Sequence, residues 1–77
     1  LDTVGWIYFQ MGEMERAREY IERSFKLRDD SAEVAEHLGD VYEKLGMMDE
    51  ARTFWLKSLQ LDGSRSEAKE KVRKATQ

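Results

Sequence analysis

Residues 4–21 read VGWIYFQMGEMERAREYI, and residues 38–55 read LGDVYEKLGMMDEARTFW. Laid over each other at an offset of 34, the two stretches pair Gly5 with Gly39, Tyr8 with Tyr42, Gly12 with Gly46, Met14 with Met48, Ala17 with Ala51 and Arg18 with Arg52. Beyond them the same offset pairs Ser24 with Ser58 and Leu27 with Leu61, and no insertion is needed. Conservative pairs fill the intervals: Val4 with Leu38, Ile7 with Val41, Tyr20 with Phe54, Phe25 with Leu59. A fixed period of roughly 20 to 50 residues marks a chain built by stacking one supersecondary unit.

Within each unit the apolar residues step by three or four, the spacing that gathers side chains on one face of a helix. Leu1, Val4, Tyr8 and Met11 form one such line, and Leu38, Val41, Tyr42 and Leu45 another. Gly12 and Gly46 interrupt them where two antiparallel helices need a turn. The pattern resumes at Met14, Ala17, Ile21 and Phe25, and again at Met48, Ala51, Trp55 and Leu59. Glycine inside a helix is unfavourable by about 1 kcal/mol, so Gly5 and Gly39 imply close helix approach, with Ala17 and Ala51 expected opposite them. Asp30 with Glu33, and Ser64 with Glu67, have capping-box spacing. The pattern predicts helices at about 1–11, 14–28, 31–45, 48–61 and 65–76. In the last of these only Ala68, Val72 and Ala75 form an apolar line, as a terminal cap requires.

The first unit carries Leu1-x2-Val4-Gly5-x2-Tyr8 and then Ala17-x3-Ile21; the second carries Ala35-x2-Leu38-Gly39-x2-Tyr42 and then Ala51-x3-Trp55. Over residues 1–64 this resembles the tetratricopeptide repeat, whose period is also 34 residues. The resemblance implies an all-α fold, an α-solenoid of antiparallel helix pairs. Repeat 1 covers 1–30, repeat 2 covers 31–64, and a capping helix covers 65–77. The family's helix-opening Trp is here Leu1 and Ala35, its second-helix Ala is Ser24 and Ser58, and its closing Pro is Asp29 and Gly63. These positions pack or turn, so the departures touch no functional assignment. By the register Leu1 enters about three residues into the first helix, and it is not Met, so further repeats are expected upstream.

Composition narrows the chemistry. The 77 residues are 38% charged and contain no proline, no cysteine and one histidine, with a net charge of -3. Nothing approaches the roughly 20 consecutive apolar residues of a membrane span. Missing cysteine excludes disulfides and thiolate metal sites. Residues 65–77 hold five Lys and Arg against two Glu, a balance of +3, leaving -6 for the remainder. An acidic body lacks the clustered cations that a phosphate backbone requires. The basic end reads as a solvated helix terminus. Glu33, His37 and Asp40 have a spacing that admits a divalent metal, but one imidazole on an open face makes a poor zinc site. No phosphate loop and no Ser-His-Asp set can be assembled, so no catalytic centre, cofactor or metal is expected.

Tyr8, Tyr42 and Trp55 read as core, as do Met14 and Met48. Trp6 and Phe9 leave the Val4–Tyr8 line and fall on the other side of the first helix. In the tetratricopeptide family the first helices of successive repeats line a concave groove, and by that register Asp2, Trp6, Phe9 and Gln10 face it. Glu36, Asp40, Glu43 and Lys44 follow in the second unit with Glu33 and His37 beside them, and Glu67, Glu70 and Lys74 in the cap helix. The resemblance therefore implies a non-enzymatic scaffold that binds a partner segment in an acidic and aromatic groove. The Lys and Arg clamp by which some relatives grip acidic tails is absent, so a basic or aromatic-rich protein or peptide is expected, and not nucleic acid. The alternative is a structural element that packs on neighbouring repeats or dimerises through its uncapped N-terminal face. A further likeness to the C-terminal repeats of larger bacterial repeat proteins leaves the location open between periplasm or outer membrane and cytoplasm.

Overall fold

Gly12 and Gly46 decide where the chain reverses. Each ends a first helix in the left-handed region, with φ of 83° and 79°, which glycine enters without steric penalty. Around Gly12 the amide of Gly12 donates to Phe9 carbonyl at 3.1 Å and that of Glu13 to Tyr8 carbonyl at 2.9 Å. Gly46 and Met47 repeat the pair of bonds onto Glu43 at 3.0 Å and Tyr42 at 2.8 Å. Both turns are Schellman motifs, which satisfy the last free carbonyls of a helix. The same local code is thus written twice, 34 residues apart.

The computed structural model describes residues 3–27 and 30–76. They form α1 (Thr3–Gln10), α2 (Met14–Leu27), α3 (Ala32–Lys44), α4 (Met48–Leu61) and α5 (Ser66–Ala75), with no strand among the described residues. Each helix packs chiefly on its neighbours in sequence: α1 on α2, α2 on α3, α3 on α4 and α4 on α5. This is the all-α solenoid of antiparallel helix pairs expected from the period. Ala17, Ile21, Val34, Leu38, Val41, Tyr42, Ala51 and Trp55 form one core cluster. Tyr8, Phe9, Phe25, Leu45, Met47, Phe54, Val72 and Ala75 pack against its edge, so Phe9, read as leaving the core line, in fact touches the core. Ala68 is fully buried, so the sparse apolar line of α5 does face inward.

Several local expectations need correction. The helix-starting cap of α3 is Ser31, not Asp30: its hydroxyl accepts from the Val34 amide at 3.3 Å, and its backbone is extended. The helix begins one residue later than a cap at Asp30 would set. Ser64 does not cap α5 either. Its amide and hydroxyl both donate to the Asp62 carboxylate, at 3.1 and 2.6 Å, forming an Asx turn before the helix. Gly5 and Gly39 are close-approach sites, but the residues opposite are Ile21 and Trp55. A Cβ on Gly39 would stand 2.3 Å from Trp55 Cδ1, and one on Gly5 2.5 Å from Ile21 Cγ1. Met48 is exposed, and Met47 is the methionine on the core. Val4 and Met11 are also exposed, so the first apolar line does not serve the core as its counterpart in α3 does.

Ser58 occupies a position where the family carries alanine. It is fully buried, and its hydroxyl donates to the Ala32 carbonyl at 2.7 Å. That bond satisfies a free polar group and ties the end of α4 to the start of α3. Trp55, 1% exposed, lies in the core and donates its indole N–H to Asp40 Oδ1 at 3.1 Å. Tyr42 donates its hydroxyl to the Glu22 carboxylate, which pins α3 to α2. Its ring stacks on Phe54, and Phe54 meets Phe25 edge-on.

Candidate partner-binding face

The first helices of the units, α1 and α3, meet through aromatic rings. Trp6 stacks on His37 with centroids 4.1 Å apart and planes within 16°. Trp6 also stacks on Phe9 at 4.5 Å and 5°. All three rings are half-buried, presenting part of their surface to solvent. Gln10, Glu33, Glu43 and Lys44 are exposed. Asp2 lies outside the described residues.

The next junction, between α3 and α5, is ionic. Lys71 Nζ lies 2.7 Å from Glu36 Oε2 and 2.8 Å from Asp40 Oδ1. Arg65 Nε takes the other Glu36 oxygen at 2.8 Å. Burial alone would raise the Glu36 carboxyl, but the hydrogen bonds from Lys71 and Arg65 outweigh it and hold the group below its ordinary pKa. Burial works against the Lys71 ammonium too, and Asp40 and Glu36 together hold it above the usual lysine value. Two carboxylates and two cations therefore neutralise one another at the α3–α5 junction.

This changes the picture of an acidic wall. Glu36 is only 5% exposed and is part of the packing between α3 and α5, not a free groove charge. Asp40 is half-buried, with both Lys71 and Trp55 on the same oxygen. The cap-helix positions expected on this face were Glu67, Glu70 and Lys74. Glu70 instead pairs with Arg73, at 2.7 and 2.9 Å, on the exposed side of its own helix. Arg65 and Lys71 were missed, although the register contains the signal: Lys71 stands 34 residues after His37, the residue that meets the preceding first helix. Beside the network a hollow of about 250 Å³ opens between α5 and the α3–α4 pair, lined by Glu43, Met48, Trp55, Lys71, Lys74 and Ala75.

On the second helices, α2 and α4, Arg18 pairs with Glu15 at 3.0 Å, and Arg52 reaches Asp49 at 2.6 Å and the Ala75 carbonyl at 3.0 Å. Arg52 places a cation at the C-terminal end of α5, where unpaired carbonyls favour it. No helix among the described residues is long and apolar enough to cross a membrane.

The sequence profile of the family described as Tetratricopeptide repeat matches residues 2–31 and 32–65, most of the chain in two adjoining copies. With two such copies folded as stacked helix pairs, the chain belongs to the tetratricopeptide repeat family. Repeats of this kind are a non-catalytic fold that generally serves protein–protein interaction. No curated protein matches the chain at a significant level.

Proposed function

We propose that the chain is a non-enzymatic module that receives a segment of another protein along the concave face of α1, α3 and α5. The observation that supports this reading is the half-buried stack of Phe9, Trp6 and His37 on the face that the first helices share. Aromatic rings with one open side make strong anchors, because they bury large area with few rotamers to freeze. The neutralised junction argues for a modest role of charge: Glu33 and Glu43 are the open acids, while Glu36 and Asp40 already hold cations of the same molecule. A partner that offers one planar side chain, aromatic or guanidinium, with a basic residue beside it, fits this surface better than a uniformly basic tail.

The two tryptophans make the test direct. Trp55 is buried, and Trp6 is half-exposed. A Trp55→Phe background isolates Trp6 fluorescence, and a displayed library of random 12-residue peptides supplies the ligands. Selected peptides should quench or shift Trp6 emission, and Trp6→Ala should weaken them by on the order of 2 kcal/mol, mostly through faster dissociation. Glu33→Lys with Glu43→Lys should chiefly slow association. Peptides that bind Trp6→Ala as well as the parent would move the site to another face.

A further inference from the structure

The hollow of about 250 Å³ at the α3–α5 junction stands where the preceding junction, between α1 and α3, carries a ring. By the 34-residue offset, Glu43 in its wall answers to Phe9, and Ala75 answers to Val41. Phe9 is half-buried, packs against the core and stacks on Trp6 at 4.5 Å. Val41 is fully buried. In the later copy the ring has become an exposed carboxylate, and the valine a half-buried alanine. Both replacements take apolar volume out of the wall. Trp55, in place of Ile21, returns some of it from α4, yet the space stays open. An apolar cavity of about 150 Å³ already holds a benzene ring, so one more aromatic side chain fits here.

We infer that this hollow is a second anchor site, one repeat along from the Trp6 stack, and that it takes the uncharged ring of a tyrosine in the partner segment. The inference rests on the reading of this face as the partner-binding one. Charge selects the occupant. Lys71 is already held by Glu36 at 2.7 Å and Asp40 at 2.8 Å, and the exposed Glu43 and Lys74 add one charge of each sign. A charged side chain would be drawn by one of these two and repelled by the other. A neutral ring meets neither objection. The Met48 thioether, the Trp55 indole and the Ala75 methyl supply its apolar walls, and a polarisable sulfur is a favourable neighbour for a ring. A phenol adds a hydroxyl that can donate to Glu43 and accept from Lys74.

The probe is p-cresol, the tyrosine side chain without its backbone, and the chain's two tryptophans give one indole N–H signal for each anchor. In NMR titrations p-cresol should shift the Trp55 indole and Met48 methyl signals along a saturable curve, with dissociation on the order of 1 mM. Glu43→Phe gives the second repeat the ring of the first. It should cut the Trp55 response about tenfold and raise the melting temperature by roughly 4 °C. Trp6→Ala should leave the Trp55 response as it is. The Trp6 signal thus judges the aromatic stack and the Trp55 signal judges the hollow, so either reading can fail alone. No Trp55 shift, the same shift in Glu43→Phe, or a larger one from butylguanidinium or p-methylbenzoate would overturn the proposal. So would loss of the shift in a natural chain that continues past Gln77, because the chain itself would then occupy the hollow.

Discussion

Lys71 meets Asp40 across 2.8 Å at the place where, one repeat earlier, His37 meets Trp6. Asp40 is 34 residues after Trp6, and Lys71 is 34 after His37. One position pair in the solenoid is therefore closed by stacked rings at the first junction and by an ion pair at the second. Backbone geometry is shared, and only the chemistry of the closure differs.

Lys71→Met should lower stability by about 2 kcal/mol, since it leaves Glu36 buried with Arg65 alone and Asp40 without its cation. The Glu36 side chain is only 6% exposed, so water cannot take over the missing partner. Calorimetry reads the loss as a lower melting temperature. A double variant, Glu36→Gln with Lys71→Met, should recover part of it. An unchanged melting temperature for Lys71→Met would mean that the network contributes nothing net.

Acid should act on the same junction. The folded Glu36 carboxyl is held below its ordinary pKa of 4.5. The unfolded chain takes up the proton first as pH falls, so the stability from this group is full above about pH 4.5 and is lost as pH drops through the lower folded value. Denaturant midpoints measured from pH 6 to pH 2 should fall, and Glu36→Gln should flatten the part of the curve just below pH 4.5. A variant with the same slope as the parent there would locate the acid sensitivity elsewhere.

Alkali acts through Tyr42. Burial, with the Glu22 carboxylate beside the hydroxyl, raises its pKa from 10.0 to about 12. Here the folded value lies above the unfolded one, so the contribution is complete below pH 10 and disappears as pH climbs towards 12. The loss across that window should reach about 2 kcal/mol. Tyr42→Phe should remove this part of the alkaline decline, measured as the difference from the parent in chemical denaturation at pH 9 and pH 11.5. Parallel curves would place the tyrosine outside the linkage.

Gly39→Ala tests the closest approach in the fold. Alanine gains about 1 kcal/mol of helix propensity over glycine, yet the new Cβ would lie 2.3 Å from an indole whose N–H is committed to Asp40. Overpacking should win, with a net loss of about 1–3 kcal/mol. Urea titration of Gly39→Ala measures the balance. A variant as stable as the parent would mean that the Trp55 ring shifts freely.

The architecture was legible because the signals that specify it are local and repeated. Turn glycines, apolar steps and the 34-residue offset locate the five helices to within a few residues. What faces a given residue was harder. Periodicity identifies the side of a helix but not the group that covers it, so Gly39 was matched with Ala51 when the indole of Trp55, four residues on, fills the space. Glu36 shows the same gap in another form. Its position on the first-helix face was readable, but its neutralisation depends on Arg65 and Lys71, 29 and 35 residues away in the chain. Trp6 did stand out, because an aromatic side chain off the core line breaks the amphipathic pattern visibly, whereas Phe9, read the same way, packs against the core.

The unlike closure of the two junctions has a consequence for how the molecule comes apart. Added salt screens these partly buried ion pairs only weakly, through the 29% and 31% exposed side chains of Lys71 and Arg65, and strengthens the burial of rings. The α3–α5 contact should therefore soften with ionic strength while the α1–α3 contact tightens. The repeat array acquires a direction of fraying: in concentrated sodium chloride α5 should lift first, and in dilute buffer the order of opening moves towards the other end. Two copies of one sequence pattern thus yield a molecule with opposite solvent responses at its two ends.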